Sequence, residues 1–251
     1  MIEDRFLGVN KAIESFKQRE TKEGKLGVFW HTQGSGKSFS MIFLTRKIKR
    51  KFQGNFTFVI VTDREDLDGQ IYKNFLHTET IGKFDKVQPG NSQAMREYLS
   101  QNKPFVFTLI QKFRWDKGKK YPILSDRKDI IVIIGEAHRT QYEELAKNMR
   151  EGLENAQFFA FTGTPLLGKK RNTSSWFGDY VSEYNFSQSI DDGATVPLFY
   201  QKRVPEVLIQ NDDDLDDKFY EYIEEEAIEK GVSKEKLTEK LENLFIKEIK
   251  N

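Results

Sequence analysis

A chain of 251 residues that is 37% hydrophobic and 31% charged can bury a sizeable core under a wet surface, which excludes fibrous and disordered classes. With 40 basic and 39 acidic side chains the net charge is +1, so a polyanion partner would have to be met by a local basic face, not by the field of the whole molecule. The absence of cysteine and the count of three histidines exclude a disulfide framework, a thiolate metal site and a histidine-rich metal cluster.

Taken from the N-terminus, residues 1–6 carry three charges in the first five and have no apolar signal-peptide core. No apolar run reaches the roughly 18 residues of a membrane span, so the expectation is a cytoplasmic protein with no membrane partner. Short runs at 26–30, 56–62, 105–110, 130–134 and 158–162 are nearly continuous in Phe, Val and Ile, the pattern of strands buried on both faces of a parallel sheet. Between them, residues 39–52 read as a helix with Phe39, Ile42, Phe43 and Ile48 as its apolar positions, and 65–76 and 136–150 read as two more. The alternation predicts an α/β domain, doubly wound, with a mainly parallel sheet flanked by helices.

Composition shifts near residue 205. Residues 211–217 form an acidic run, and 219–229 and 234–250 read as helices, the second with Leu237, Leu241, Leu244, Phe245 and Ile249 on one stripe. The predicted organisation is therefore an α/β domain over 1–205, followed by an acidic linker and C-terminal helical extension over 206–251.

The strongest motif is His31-Thr32-Gln33-Gly34-Ser35-Gly36-Lys37-Ser38, between a predicted strand and a predicted helix. Gly34 and Gly36 permit the tight turn that brings backbone N–H groups to phosphate oxygens. The following helix directs its positive end to the same place. Lys37 can reach the β- and γ-phosphates, and Ser38 can place its hydroxyl on Mg²⁺. Residues Thr32 to Ser38 are thus candidate nucleotide contacts, with ATP and Mg²⁺ as the implied ligands. The general pattern has Gly or Ala where this chain has His31.

A phosphate-loop nucleotidase also needs a carboxylate at a neighbouring strand end and a group to orient water. The run 130–134 ends in Gly135-Glu136-Ala137-His138, which makes Glu136 the candidate activating carboxylate and, with Ser38, the candidate metal ligand. The Asp expected before that Glu is Gly135, which offers no ligand. Weak Mg²⁺ handling and poor hydrolysis are the expectation.

Gly135-Glu136-Ala137-His138 resembles the Asp-Glu-Ala-His box of superfamily two helicases and translocases. The stretch Phe29-Trp30-His31-Thr32-Gln33-Gly34-Ser35-Gly36-Lys37-Ser38 resembles the phosphate loop of type I restriction enzyme restriction (R) subunits, where a His at this place is usual. Val61-Thr62-Asp63-Arg64-Glu65, Phe107-Thr108-Leu109-Ile110-Gln111 and Phe161-Thr162-Gly163-Thr164-Pro165 resemble that family's successive motifs, the last being motif III. The resemblance runs over roughly residues 5–205; upstream, Arg5 to Ala12 looks like the adenine-side region but lacks its glutamine. It implies a first RecA-like motor lobe, a P-loop domain whose full enzyme couples ATP-dependent translocation of double-stranded DNA to DNA cleavage.

By the same resemblance Lys37, Glu136 and His138 are catalytic. Thr62, Arg64, Thr108, Gln111, Thr162, Gly163 and Thr164 are DNA-contact or coupling residues. The implied partners are double-stranded DNA, the modification and specificity subunits of the complex, and a second RecA-like lobe, whose motifs this sequence lacks along with those of a nuclease. Backbone contacts to phosphates carry no sequence information, so no sequence specificity is expected here. Two other readings stay open: a catalytically impaired nucleotide-binding or assembly module, and a P-loop kinase, against which the order of Glu-Ala-His and Thr-Gly-Thr argues. Trp30, Trp115 and Trp176 are read as packing residues.

Overall fold

The structure, a computed structural model, describes residues 2–116, 118–136, 143–166 and 173–196. The chain divides into two units, Met1–Pro197 and Leu198–Asn251. The second lies outside the described residues, and with it the predicted acidic linker and helical extension.

In the first unit, α1 (Ile2–Lys17) leads to β1 (Lys25–His31), α2 (Lys37–Lys51), β2 (Thr57–Thr62), α3 (Glu65–His77), α4 (Ser92–Ser100) and β3 (Phe105–Leu109). There follow β4 (Ile130–Gly135), α5 (Glu143–Gly152), β5 (Gln157–Thr162), α6 (Thr173–Phe177), β6 (Tyr180–Tyr184) and α7 (Phe186–Asp191). The six strands form one sheet in the order β3-β2-β4-β5-β1-β6, and every pair of neighbours is parallel. Parallel neighbours require crossovers, which the intervening helices supply on both faces. No described helix is long and apolar enough to cross a membrane.

The sheet sends its side chains into two apolar layers. Phe29, Ile60, Phe107, Ile131, Ile133, Phe159 and Phe161 face one layer, where they pack with Ile13 and Phe16 of α1, Met41 and Ile42 of α2, and Ile71 and Phe75 of α3. Val28, Val59, Val106, Val132 and Ala160 face the other, against Met95 and Leu99 of α4 and Met149 and Leu153 of α5. Successive residues of the central strands thus enter opposite layers, both of them apolar, which explains why every central run reads as apolar throughout.

The five predicted strands are all present, with ends moved by a residue or so; the run 105–110 stops at Leu109, where Ile110–Phe113 turns into a 3-10 helix. The expected helix 136–150 requires correction. Glu136 sits in a turn at φ +55°, and the described helix is Glu143–Gly152. The sixth strand, β6, was not predicted: it is an edge strand whose half-buried Tyr180 and Val181 precede a buried Ser182 and an exposed Glu183. Nor were α1 and α4 predicted.

Candidate functional site

With all strands parallel, their carboxyl ends share one edge, and the chain crosses from β1 to distant β2 through α2. Such a reversal of strand order opens a crevice at the carboxyl ends. Three segments meet there: the loop after β1, the turn after β5 and the residue after β4.

The loop after β1 turns at Gly34 (φ +82°) and Gly36 (φ +80°), both left-handed. Gly36 is the N-cap of α2, no side chain caps that end, and its first turn holds no acidic residue. The leading N–H groups of a 15-residue helix are thereby left for an anion. Ser35 is 3% exposed and its Oγ has no partner. These are the features of a phosphate cradle, and Thr32 and Gln33 bring the chain into it.

Lys37 folds back into this cradle. Its Nζ donates to the carbonyls of His31 at 3.0 Å and Thr32 at 3.3 Å, and lies 3.9 Å from Glu136 Oε1. Burial pushes the ammonium below the usual lysine range, and the negative charge of Glu136 partly restores it. Glu136 reaches Lys37 across the width of β5 from a left-handed backbone that costs about 1–3 kcal/mol for a non-glycine residue.

The turn after β5 lies beneath the loop. A Cβ at Gly163 would stand 3.3 Å from the Gln33 nitrogen, 3.4 Å from the His31 oxygen and 3.5 Å from Lys37 Nζ. The Trp30 indole donates to the Gly163 carbonyl at 3.2 Å, and the Thr164 N–H donates to Thr162 Oγ1 at 3.2 Å. Glycine at 163 is thus a matter of clearance.

His31 accounts for its own departure from the general pattern. It is 1% exposed, its Nε2 shares a hydrogen bond of 2.7 Å with Ser182 Oγ, and its ring leans on Phe29 and Tyr184. The Thr32 N–H donates to the Tyr184 carbonyl at 2.9 Å. The start of the loop is fastened to β6, a strand the sequence did not reveal.

Among the described residues no group of three His, Cys, Asp or Glu could hold a metal ion. The donor set, the Ser38 hydroxyl and the Glu136 carboxylate, fits Mg²⁺ carried in by phosphates, since that ion keeps several waters. Gly135 adds nothing, yet it has room: a Cβ there would make ordinary contacts of 3.7–3.8 Å with Thr62, Val61 and Met41. Ser38 Oγ accepts a hydrogen bond from Asn74 Nδ2 of α3 at 3.0 Å, a partner that sequence reasoning missed. Its signal was an asparagine among the apolar positions of α3.

Of the remaining predicted residues, Thr62, Thr108 and Thr162 are 1% exposed or less. Their side chains are enclosed within the lobe: Thr62 donates to Asp68 Oδ1 at 3.4 Å, and burial pushes the Asp68 carboxyl above its usual range. Gln111 donates to the Asp63 carbonyl at 2.7 Å. Arg64 and Thr164 are exposed. His138 lies outside the described residues. Trp30 and Trp115 are half-buried packing residues, and Trp176 is 39% exposed.

A match to the SWI2/SNF2 ATPase family covers residues 4–231. The chain is 40% identical over 213 residues to the type I restriction enzyme HindI endonuclease subunit of Haemophilus influenzae, covering 78% of this chain and 20% of that protein. It is 36% identical over 248 residues to the putative type I restriction enzyme MjaIXP endonuclease subunit of Methanocaldococcus jannaschii, covering 96% and 23%. The chain thus spans about a fifth of the length of these curated relatives. Among solved structures, the Type ISP restriction-modification enzyme LlaBIII bound to DNA aligns with a TM-score of 0.51 at 16% identity, over 75% of this chain and 15% of that one, a likeness of fold.

Two outcomes follow from this geometry. Gly163→Ala pushes the turn against the phosphate loop, an overpacking cost of about 1–3 kcal/mol; urea denaturation and titration with a fluorescent triphosphate will both show a loss. Lys37 gives opposite pH trends for affinity and stability. Only its ammonium attracts phosphate, so affinity falls as pH rises through its lowered pKa. Between that pKa and the ordinary value of 10.5 the unfolded chain binds the extra proton, so stability rises with pH across the same window. Lys37→Met removes both trends in binding and melting series compared with wild type.

Proposed function

The chain belongs to the SWI2/SNF2 ATPase family, and on that premise we propose that it is the first RecA-like motor lobe of a type I restriction enzyme R subunit. In the full enzyme, ATP hydrolysis would drive translocation of double-stranded DNA coupled to its cleavage. The observation that carries this reading is the convergence of Lys37, the Gly163 turn and Glu136 at the ends of β1, β5 and β4. The relatives named as type I endonuclease subunits and the DNA-bound neighbour of similar fold support the choice of polymer.

The chain's own groups divide the work. Backbone N–H groups from Gly34 to Ser38 hold the phosphates. Lys37 exchanges two neutral carbonyls for phosphate oxygens, and hydrogen bonds between charged groups are the stronger kind. Glu136 orients the attacking water and takes its proton. Ser38 and Glu136 would hold a nucleotide-borne Mg²⁺, which would supply neutralisation of the phosphate charge. His138 links the nucleotide to Thr162, Gly163 and Thr164, and Arg64, Thr108 and Gln111 belong to the DNA side of the lobe, with Thr62. Arginines across the cleft belong to a second lobe, and DNA site recognition to the specificity and modification subunits.

Gly135 favours a second reading of this chain by itself, as a nucleotide-binding module with slow hydrolysis. A kinase has no support from the family.

ATPase assays with and without double-stranded DNA test the proposal: DNA stimulation that vanishes in Lys37→Ala is expected, and phosphate transfer to a small acceptor without DNA would contradict it. Glu136→Gln binds nucleotide and loses about 10²–10⁴ in turnover, the usual contribution of a general base. Gly135→Asp, for which the fold has room, raises turnover and steepens its Mg²⁺ dependence; unchanged values would remove Gly135 as the cause of weak metal handling.

A further inference from the structure

Ser38 is the one protein hydroxyl assigned to the metal, and among the described residues the side chain hydrogen-bonded to it is Asn74, at 3.0 Å. Asn74 lies outside the phosphate loop, the acidic strand end and every motif quoted above. Its position is fixed by its neighbours on α3. Ile71 and Phe75 are 3% and 0% exposed and pack into the same cluster as Met41 and Ile42 of α2. Residues at 71, 74 and 75 share one face of a helix, so burying the two hydrophobes presents the amide to α2 at the turn that begins with Ser38. A half-buried amide needs a partner, and the serine hydroxyl is that partner.

We propose that Asn74 is a positioning residue for the metal-binding hydroxyl of Ser38. The inference rests on the reading of Ser38 as a ligand to nucleotide-borne Mg²⁺. A serine oxygen has two acceptor lone pairs and one proton. Asn74 occupies one lone pair through its N–H group, which selects a side-chain rotamer, and leaves the second for the cation. The amide nitrogen carries no free lone pair, so at this atom Asn74 is a partner of the ligand and not a ligand. The arrangement has particular weight in this chain. A carboxylate at 135 would share the hold on the cation; Gly135 does not, so the orientation of Ser38 makes up a larger part of what the protein contributes.

The test uses the full chain and a fluorescent ATP analogue, titrated in EDTA and then across a series of Mg²⁺ concentrations. In Asn74→Ala, nucleotide affinity in EDTA stays within about twofold of wild type, while the Mg²⁺ concentration that gives half of the added affinity rises about 10- to 100-fold, the usual effect of losing the group behind a metal ligand. Asn74→Leu, which fills a similar volume, shows the same shift. In a Ser38→Ala background, Asn74→Ala adds no further change, because the two substitutions remove one interaction. Equal weakening in EDTA and Mg²⁺, a normal Mg²⁺ response in Asn74→Leu, or additive effects with Ser38→Ala would each overturn the proposal and leave Asn74 as a packing residue between α2 and α3. A wild-type chain whose nucleotide affinity ignores Mg²⁺ overturns the metal reading of Ser38 itself, a failure visible before any variant is compared.

Discussion

Everything at the site depends on the parallel sheet. Six strands running the same way bring all their carboxyl ends to one edge. A loop after β1, a turn after β5 and an acid after β4 then become neighbours, although more than a hundred residues separate the first from the second. An antiparallel arrangement would split the same residues between two edges. The parallel sheet needs both faces covered, and apolar side chains of α1, α2 and α3 on one side and of α4 and α5 on the other cover it.

On this rigid base the site keeps several local arrangements that a sequence chosen for stability alone would avoid. The helix after the loop has no side-chain cap, the ammonium of Lys37 is taken out of water, and Glu136 adopts a left-handed backbone. Each disfavours the free protein and each is relieved or used by an anion at the same spot: the helix end gains a counter-charge, the lysine gains stronger acceptors, and the acid faces the place where water would be activated. That three such features coincide within one cleft argues for function more strongly than any one does alone.

How much of this the sequence disclosed follows from what is local. The five central strands were legible because burial on both faces leaves nothing polar in the run. The edge strand β6 was not, because Ser182 and Glu183 break its apolar character. The phosphate loop was legible because its geometry is written by two glycines and a lysine within eight residues. Hidden were contacts made by packing: Asn74 against Ser38, His31 against Ser182, and Gly163 under Lys37. The helix expected from Glu136 onward gave way to a left-handed turn at that residue, which no periodicity encodes. The motifs placed Thr62, Thr108 and Thr162 at strand ends, and how deeply the fold encloses them, at 1% exposure or less, was not legible there.

One contact gives the molecule an optical property. The indole of Trp30 donates to the carbonyl of Gly163, in the turn that lies against the Lys37 ammonium and the loop backbone. Indole emission responds to the polarity and the hydrogen bonding of its surroundings, so this ring is a native chromophore seated at the joint between the turn after β5 and the loop after β1. Trp115, by contrast, rests on Tyr121 and Arg96, and Trp176 beside Arg150. The colour of its emission thereby reports on the contact between the turn after β5 and the loop after β1.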